Sequence, residues 1–93
     1  MSKFTASESP NVGFWMEFDN GYKISVQWSK GNSCSNHLKA YPSNESATAE
    51  IQVTDSGGKH QEPIGWLLAD EVAKKIQEIA SISVGAKWSF DFV

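Results

Sequence analysis

Between Val12 and Phe18 every second residue is apolar (Val12, Phe14, Met16, Phe18), and the alternation returns between Tyr22 and Trp28 (Tyr22, Ile24, Val26, Trp28). A period of two is the pattern of a strand with one buried face, so two strands are predicted. The intervening Asp19-Asn20-Gly21 contains an Asn-Gly pair, which tolerates the positive φ of a hairpin tip. Loop parity then decides the faces. A two-residue loop at Asn20-Gly21 puts the two apolar sets on opposite sides of the sheet, whereas an odd loop puts them on one. The odd loop is expected, with Phe18 opposite Ile24, Met16 opposite Val26, Phe14 opposite Trp28 and Asp19 across from Lys23. Phe14, Met16, Phe18, Ile24, Val26 and Trp28 then share a buried face, and Glu17, Ser25 and Gln27 lie on the other.

Residues 30–46 show no periodicity and are rich in Ser and Asn, which predicts a long loop; loops of this length are mobile or functional. A third strand is predicted over Thr48 to Thr54 with Ile51 and Val53 facing in, ended by Asp55-Ser56-Gly57-Gly58, and Pro63 and Gly65 break the chain again. Leu68, Val72, Ile76, Ile79 and Ala80 recur at helical spacing, with Asp70, Glu71, Lys74, Lys75 and Glu78 opposite them, so residues 69–81 read as an amphipathic helix. Its acids fall in the first turn, where the helix dipole favours them. After Gly85, Trp88, Phe90 and Phe92 alternate with polar residues as a last strand. The expected fold is α+β: a four-stranded, mainly antiparallel sheet with one helix on one face, in the order β-β-β-α-β. Residues 1–93 form one domain, with 1–11 a flexible or edge segment. Four strands are about 15–19 Å wide and one helix covers only about 10–12 Å, so a homodimer or higher oligomer is expected to cover the rest of the apolar face.

With 40% hydrophobic and 20% charged residues the chain has the composition of a globular domain. The net charge of −3 argues against direct nucleic-acid binding, which begins with attraction to phosphate, and favours a partner with a basic or neutral surface. No apolar run reaches the roughly 18–20 residues that span a bilayer, and the first ten residues lack the basic, apolar and small-residue segments of a secretory leader. A single cysteine, Cys34, cannot form an internal disulfide, and small secreted domains usually need several. A cytoplasmic protein without membrane attachment is expected.

The polar motifs carry little chemistry. Cys34 and His37 have a Cys-x-x-His spacing, with His60 the remaining histidine, but zinc needs four N or S ligands, or three and a water. As a thiol nucleophile with a histidine base the pair lacks a third group to orient the imidazole. Ser56-Gly57-Gly58-Lys59-His60 is shorter than a phosphate loop and is followed by Pro63 in place of a helix. The carboxylates Glu17, Asp19, Glu50 and Asp91 lie on strand faces that are normally solvated, and one sheet with one helix rarely offers the cleft a glycosidase pair requires. No catalytic residue, metal or cofactor is assigned, and the chain is read as a non-enzyme.

Four tryptophans in 93 residues are about three times the usual share. Trp28 and Trp88 fall on apolar faces. Trp15 falls on the polar face beside Glu17, Ser25 and Gln27, where its ring is either covered by the N-terminal segment or left as a contact anchor. The candidate contact residues are Trp15, Glu17 and Gln27 on the strands and Asn32, Asn36, His37 and Tyr41 in the long loop.

The stretch Gly13-Phe14-Trp15-Met16-Glu17-Phe18-Asp19-Asn20-Gly21-Tyr22-Lys23-Ile24-Ser25-Val26-Gln27-Trp28, with Gly31-Asn32-Ser33-Cys34-Ser35-Asn36, resembles small accessory proteins of tailed bacteriophages. Ala49 to Asp55, and Gly65-Trp66 ahead of Asp70-Glu71-Val72, extend the similarity over most of the chain. The resemblance implies a phage or prophage origin; by analogy with other small phage accessory proteins the chain is read as a non-catalytic inhibitor of a host defence system, of anti-CRISPR or other anti-defence type, that occludes a host protein. The alternative is an oligomeric sponge that binds a small signalling nucleotide, with loop amides bonding the ligand and an aromatic stacking on its base.

Overall fold

A computed structural model describes residues 2–37 and 45–83. Five strands, β1 (Lys3–Ala6), β2 (Gly13–Glu17), β3 (Lys23–Gln27), β4 (Thr48–Thr54) and β5 (Ile64–Leu68), precede one helix, α1 (Ala69–Ala80). The strands form one antiparallel sheet in chain order, β1-β2-β3-β4-β5, with α1 packed over β3, β4 and β5. The protein is therefore an α+β domain with an antiparallel sheet and one helix. The expectation of four strands in the order β-β-β-α-β is corrected: β1 and β5 add two strands that the periodicity does not reveal. The expected strand at Trp88, Phe90 and Phe92 lies outside the described residues.

The odd hairpin loop is present, and the apolar sets of β2 and β3 share a face as its parity requires. The pairing itself differs by two residues from the expected one: Phe14 faces Val26, Met16 faces Ile24 and Glu17 faces Lys23. The loop is the three residues Asp19-Asn20-Gly21, closed by the Phe18 N–H on the Tyr22 carbonyl and the Gly21 N–H on the Phe18 carbonyl. The loop is centred on Asn20, which sets Phe18 against Tyr22; the Phe18–Ile24 pair would need a turn centred on Gly21. Ile24, Val26, Ile51 and Val53 are almost completely buried under Val72 and Ile79 of α1, with Phe18, Tyr22 and Ala49 completing the core and Phe14, Met16 and Trp28 packed against it. The Phe14 and Trp28 rings meet edge to face at 6.3 Å.

The helix begins at Leu68, whose N–H is accepted by the Glu71 carboxylate at 2.9 Å. That is half of a capping box; leucine has no side-chain oxygen to supply the other half. At the far end Asn20, from the β2–β3 turn, donates through Nδ2 to the carbonyls of Ile79 and Ile82, each at 2.9 Å, and accepts the Tyr22 N–H on Oδ1. One buried amide thus closes the hairpin and satisfies two carbonyls at the helix C-terminus. No helix among the described residues is long and apolar enough to cross a membrane.

Candidate functional site

Backbone pairing arranges nine residues as a three-by-three grid on the sheet face opposite α1. Thr5 faces Trp15 and Trp15 faces Ser25; on one side lie Lys3, Glu17 and Lys23, and on the other Ser7, Gly13 and Gln27. Trp15 occupies the centre. The alternation that puts Phe14 and Met16 into the core necessarily turns Trp15 outward. The N-terminal segment does not cover the indole; it runs beside it as β1, and Trp15 is 45% exposed.

The polar side chains around the indole are held in place. Gln27 lies across Gly13, where an added Cβ would collide with the Val26 carbonyl and the Gln27 amide, and its Oε1 accepts the Ser7 hydroxyl at 2.9 Å. Its Nε2 donates to Ser25 Oγ at 3.1 Å. The glycine is thus a packing requirement: any side chain at position 13 would have to push the Val26 carbonyl of β3 aside as well as lift Gln27 off the face. Glu17 is paired with Lys23 at 3.7 Å. Asn32 reaches the edge of the grid from the loop after β3, donating to Glu50 Oε1 at 2.9 Å and accepting the Ser29 N–H at 2.8 Å. Two adjoining concavities result, with Thr5 and Trp15 in the wall of both. One, of about 430 Å³, is lined by Ser7, Glu8, Asn11, Gln27 and Asn32; the other, of about 230 Å³, by Lys3, Met16, Glu17 and Lys23.

Of the residues singled out in the sequence, Trp15, Gln27 and Asn32 share the larger concavity, and Glu17 and Trp15 the smaller. Asn36 sits elsewhere, buried and donating to the carbonyls of Trp28 at 3.1 Å and Glu45 at 2.9 Å. It braces the loop from inside. His37 is exposed, with Nδ1 bonded to the Asn32 carbonyl at 2.8 Å. Tyr41 lies outside the described residues. The Cys34 thiol is fully buried and directed at the Ser29 carbonyl, so the Cys34–His37 spacing does not present a solvent-facing thiol. Among the described residues no three His, Cys, Asp or Glu side chains converge on a metal position.

Sequence reasoning missed the N-terminal contribution to this face, because Lys3, Thr5 and Ser7 acquire their meaning only through pairing with β2. It also missed two exposed rings. Phe4, on the α1 side of β1, is 76% exposed, and Trp66 of β5 is 59% exposed with φ of 60°. A larger cavity, about 540 Å³, lies on the other face between α1 and the sheet, walled by Phe14, Val26, Trp28, Leu67, Val72 and Ile76. Size does not make it the better site: most of its wall is side chains of the core or packed against it, with Glu45, Ser46 and Thr48 as its polar lining. The outer face offers an exposed ring framed by fixed polar groups. Comparison with protein-family models, curated proteins and solved structures finds no match.

Proposed function

We propose that the chain is a non-catalytic binding domain that occludes the surface of a partner protein, using the outer face of β1, β2 and β3 centred on Trp15. The observation that carries this reading is the indole itself, half exposed at the centre of a rigid strand grid. Large rings held in fixed positions supply contact area at little entropic cost and dominate interface energetics. The net charge of −3 suits a neutral or basic partner surface. In the setting that the phage resemblance implies, the partner is a component of a host defence system in the bacterial cytoplasm.

The test is affinity capture from bacterial extract with the native chain, Trp15→Ala and a control substitution away from the face, Glu62→Ala. The reading expects one protein retained in stoichiometric amount by the native chain and the control and lost with Trp15→Ala. Retention unaffected by Trp15→Ala rejects the face. A second reading, a nucleotide sponge, draws on the meeting of Gln27, Asn32 and the indole around one concavity. It predicts a rise in melting temperature with added nucleotides by mass action, which a protein partner absent from the tube cannot cause.

A further inference from the structure

The two edges of the sheet are unlike. At β5 the register shifts opposite Ala49 and Ile51, Trp66 adopts a positive φ, and its N–H is taken by the Ser33 carbonyl at 2.8 Å. A bulge covered by a loop is one of the ways in which proteins close an edge to further pairing. Among the described residues β1 has neither device. Its four residues are all exposed, and it pairs with β2 in unbroken register. The Ser7 N–H bonds the Gly13 carbonyl, so by antiparallel alternation Lys3 and Thr5 also turn their backbone groups toward β2. The N–H and C=O groups of Phe4 and Ala6 therefore point away from the sheet.

The two outer-face concavities follow this edge in sequence, one beside Lys3 and Thr5, the next beside Thr5 and Ser7. Their linings share Thr5 and step along β1 from Lys3 to Ser7, the direction along which successive side chains on one face of an added strand lie about 6.8 Å apart. Their charges differ. The first is lined by Lys3, Lys23 and Glu17, an excess of one cation; the second has Glu8 among hydroxyls and amides, with no cation. Between these positions, on the α1 side, Phe4 offers an exposed ring.

We propose that the β1 edge captures an extended segment of the partner protein as a sixth strand. That segment places an acidic side chain in the lysine-lined concavity, a basic or amide side chain two residues away in the one beside Glu8, and an apolar residue between them against Phe4. Backbone hydrogen bonds to Phe4 and Ala6 supply the affinity and the two concavities the selectivity. Antiparallel addition is the stabler arrangement and sets the order as basic, apolar, acidic. A second copy of the chain is the poorer occupant. Two-fold pairing of β1 with itself brings Thr5 or Ser7 opposite Lys3, which gives the concavity beside Glu8 a cation but leaves the lysine-lined concavity without an acidic side chain. The inference rests on the reading of the Trp15 face as the contact surface and adds to it the form of the partner.

The test uses the full chain and two synthetic peptides, acetyl-Thr-Val-Lys-Val-Glu-Val-Thr-amide and its charge-exchanged form acetyl-Thr-Val-Glu-Val-Lys-Val-Thr-amide, with amide exchange followed by NMR. With the first peptide at about ten times its Kd, exchange at Phe4 and Ala6 slows about tenfold, while Thr5, whose amide faces β2, is unchanged. The charge-exchanged peptide binds more weakly. Ala6→Pro removes an outward N–H that bonds nothing in the sheet, a substitution an edge strand accommodates, and it abolishes the protection at Phe4. Quenching of Trp15 by the peptide in native and Ala6→Pro chains alike, without amide protection, overturns strand addition and leaves the Trp15 face standing. Protection that survives Trp15→Ala, in a chain whose partner capture also survives it, keeps the edge and removes the face. Absence of both quenching and protection up to millimolar peptide overturns the inference. Protection of Phe4 and Ala6 without peptide, growing with protein concentration alongside a doubled mass, assigns the edge to a second copy instead.

Discussion

Asn20 shows how much a single side chain can join. Its amide bonds Ile79, Ile82 and Tyr22 and is buried, so truncation removes three bonds at once, leaving the Ile79 carbonyl only its longer bond from the Ile82 N–H. Asn20→Ala is expected to cost about 2–4 kcal/mol, the sum of lost bonds and desolvated groups, measured by urea denaturation. Asn20→Asp is no rescue, since it removes both donors and brings a negative charge to the helix C-terminus. The hairpin role of this residue is legible in the sequence, because Asn-Gly between alternating runs has a local meaning. The helix role is not, because the carbonyls it meets lie 59 and 62 residues away. A smaller effect is expected at Asp19, whose carboxylate accepts the Ser2 hydroxyl at 3.1 Å. That bond holds its pKa below the ordinary 3.8. A lowered carboxylate favours the fold above the unfolded-state pKa and loses that contribution as pH falls through the folded value. NMR titration is expected to show Asp19 moving back toward its ordinary value in Ser2→Ala, with little change in stability because the group is exposed.

At the scale of elements, strands that bury a face announce themselves and edge strands do not. The parity of β2 and β3 follows from alternation alone, and the helix, expected at 69–81, occupies Ala69–Ala80. Lys3–Ala6 has no buried residue, so burial wrote no pattern into it. Ile64–Leu68 is concealed by its own punctuation. Pro63 and Gly65 read as chain breaks, yet Pro63 only precedes the strand, and Gly65 lies inside it because Ser33 packs where a Cβ would be. Leu68, whose spacing assigns it to the helix, is instead the last residue of β5 and the helix cap, 54% exposed. Gly65 and Gly13 give paired predictions, since each admits a neighbour that alanine would displace. Gly65→Ala is expected to lift the Ser33 segment from the sheet and break the Trp66 N–H bond. Gly13→Ala is expected to unseat Gln27 from Ser7. Each substitution is expected to cost about 1–3 kcal/mol, but only Gly13→Ala alters the Trp15 face. Denaturation curves together with the Trp15 indole resonance separate the two.

For the whole molecule, β3 serves both the buried core and the outer face, whereas β1 adds only to the outer face. Five strands span about 19–24 Å and one helix about 10–12 Å, and α1 lies over β3, β4 and β5. The buried core belongs to β3, β4, the hairpin and the helix; β1 contributes no buried residue to it and, among the described residues, forms the margin of the outer face. A charge placed in the core is expected to be fatal: Val26→Asp puts an unpaired carboxylate at a position 3% exposed, and the cost of several kcal/mol approaches the whole margin of a domain this small. Removal of residues 1–6 is expected to do the opposite. It deletes exposed side chains and the backbone bonds of one edge strand, so unfolding free energy falls by no more than about 2 kcal/mol and the cooperative transition persists with a slightly smaller urea slope. Partner capture is nevertheless expected to disappear, because Lys3, Thr5 and the free edge go with the deletion while Trp15 stays. Urea denaturation and affinity capture on the same truncated protein check this; a truncated chain that unfolds outright would place β1 in the stabilising framework, and one that still captures its partner would confine recognition to β2 and β3.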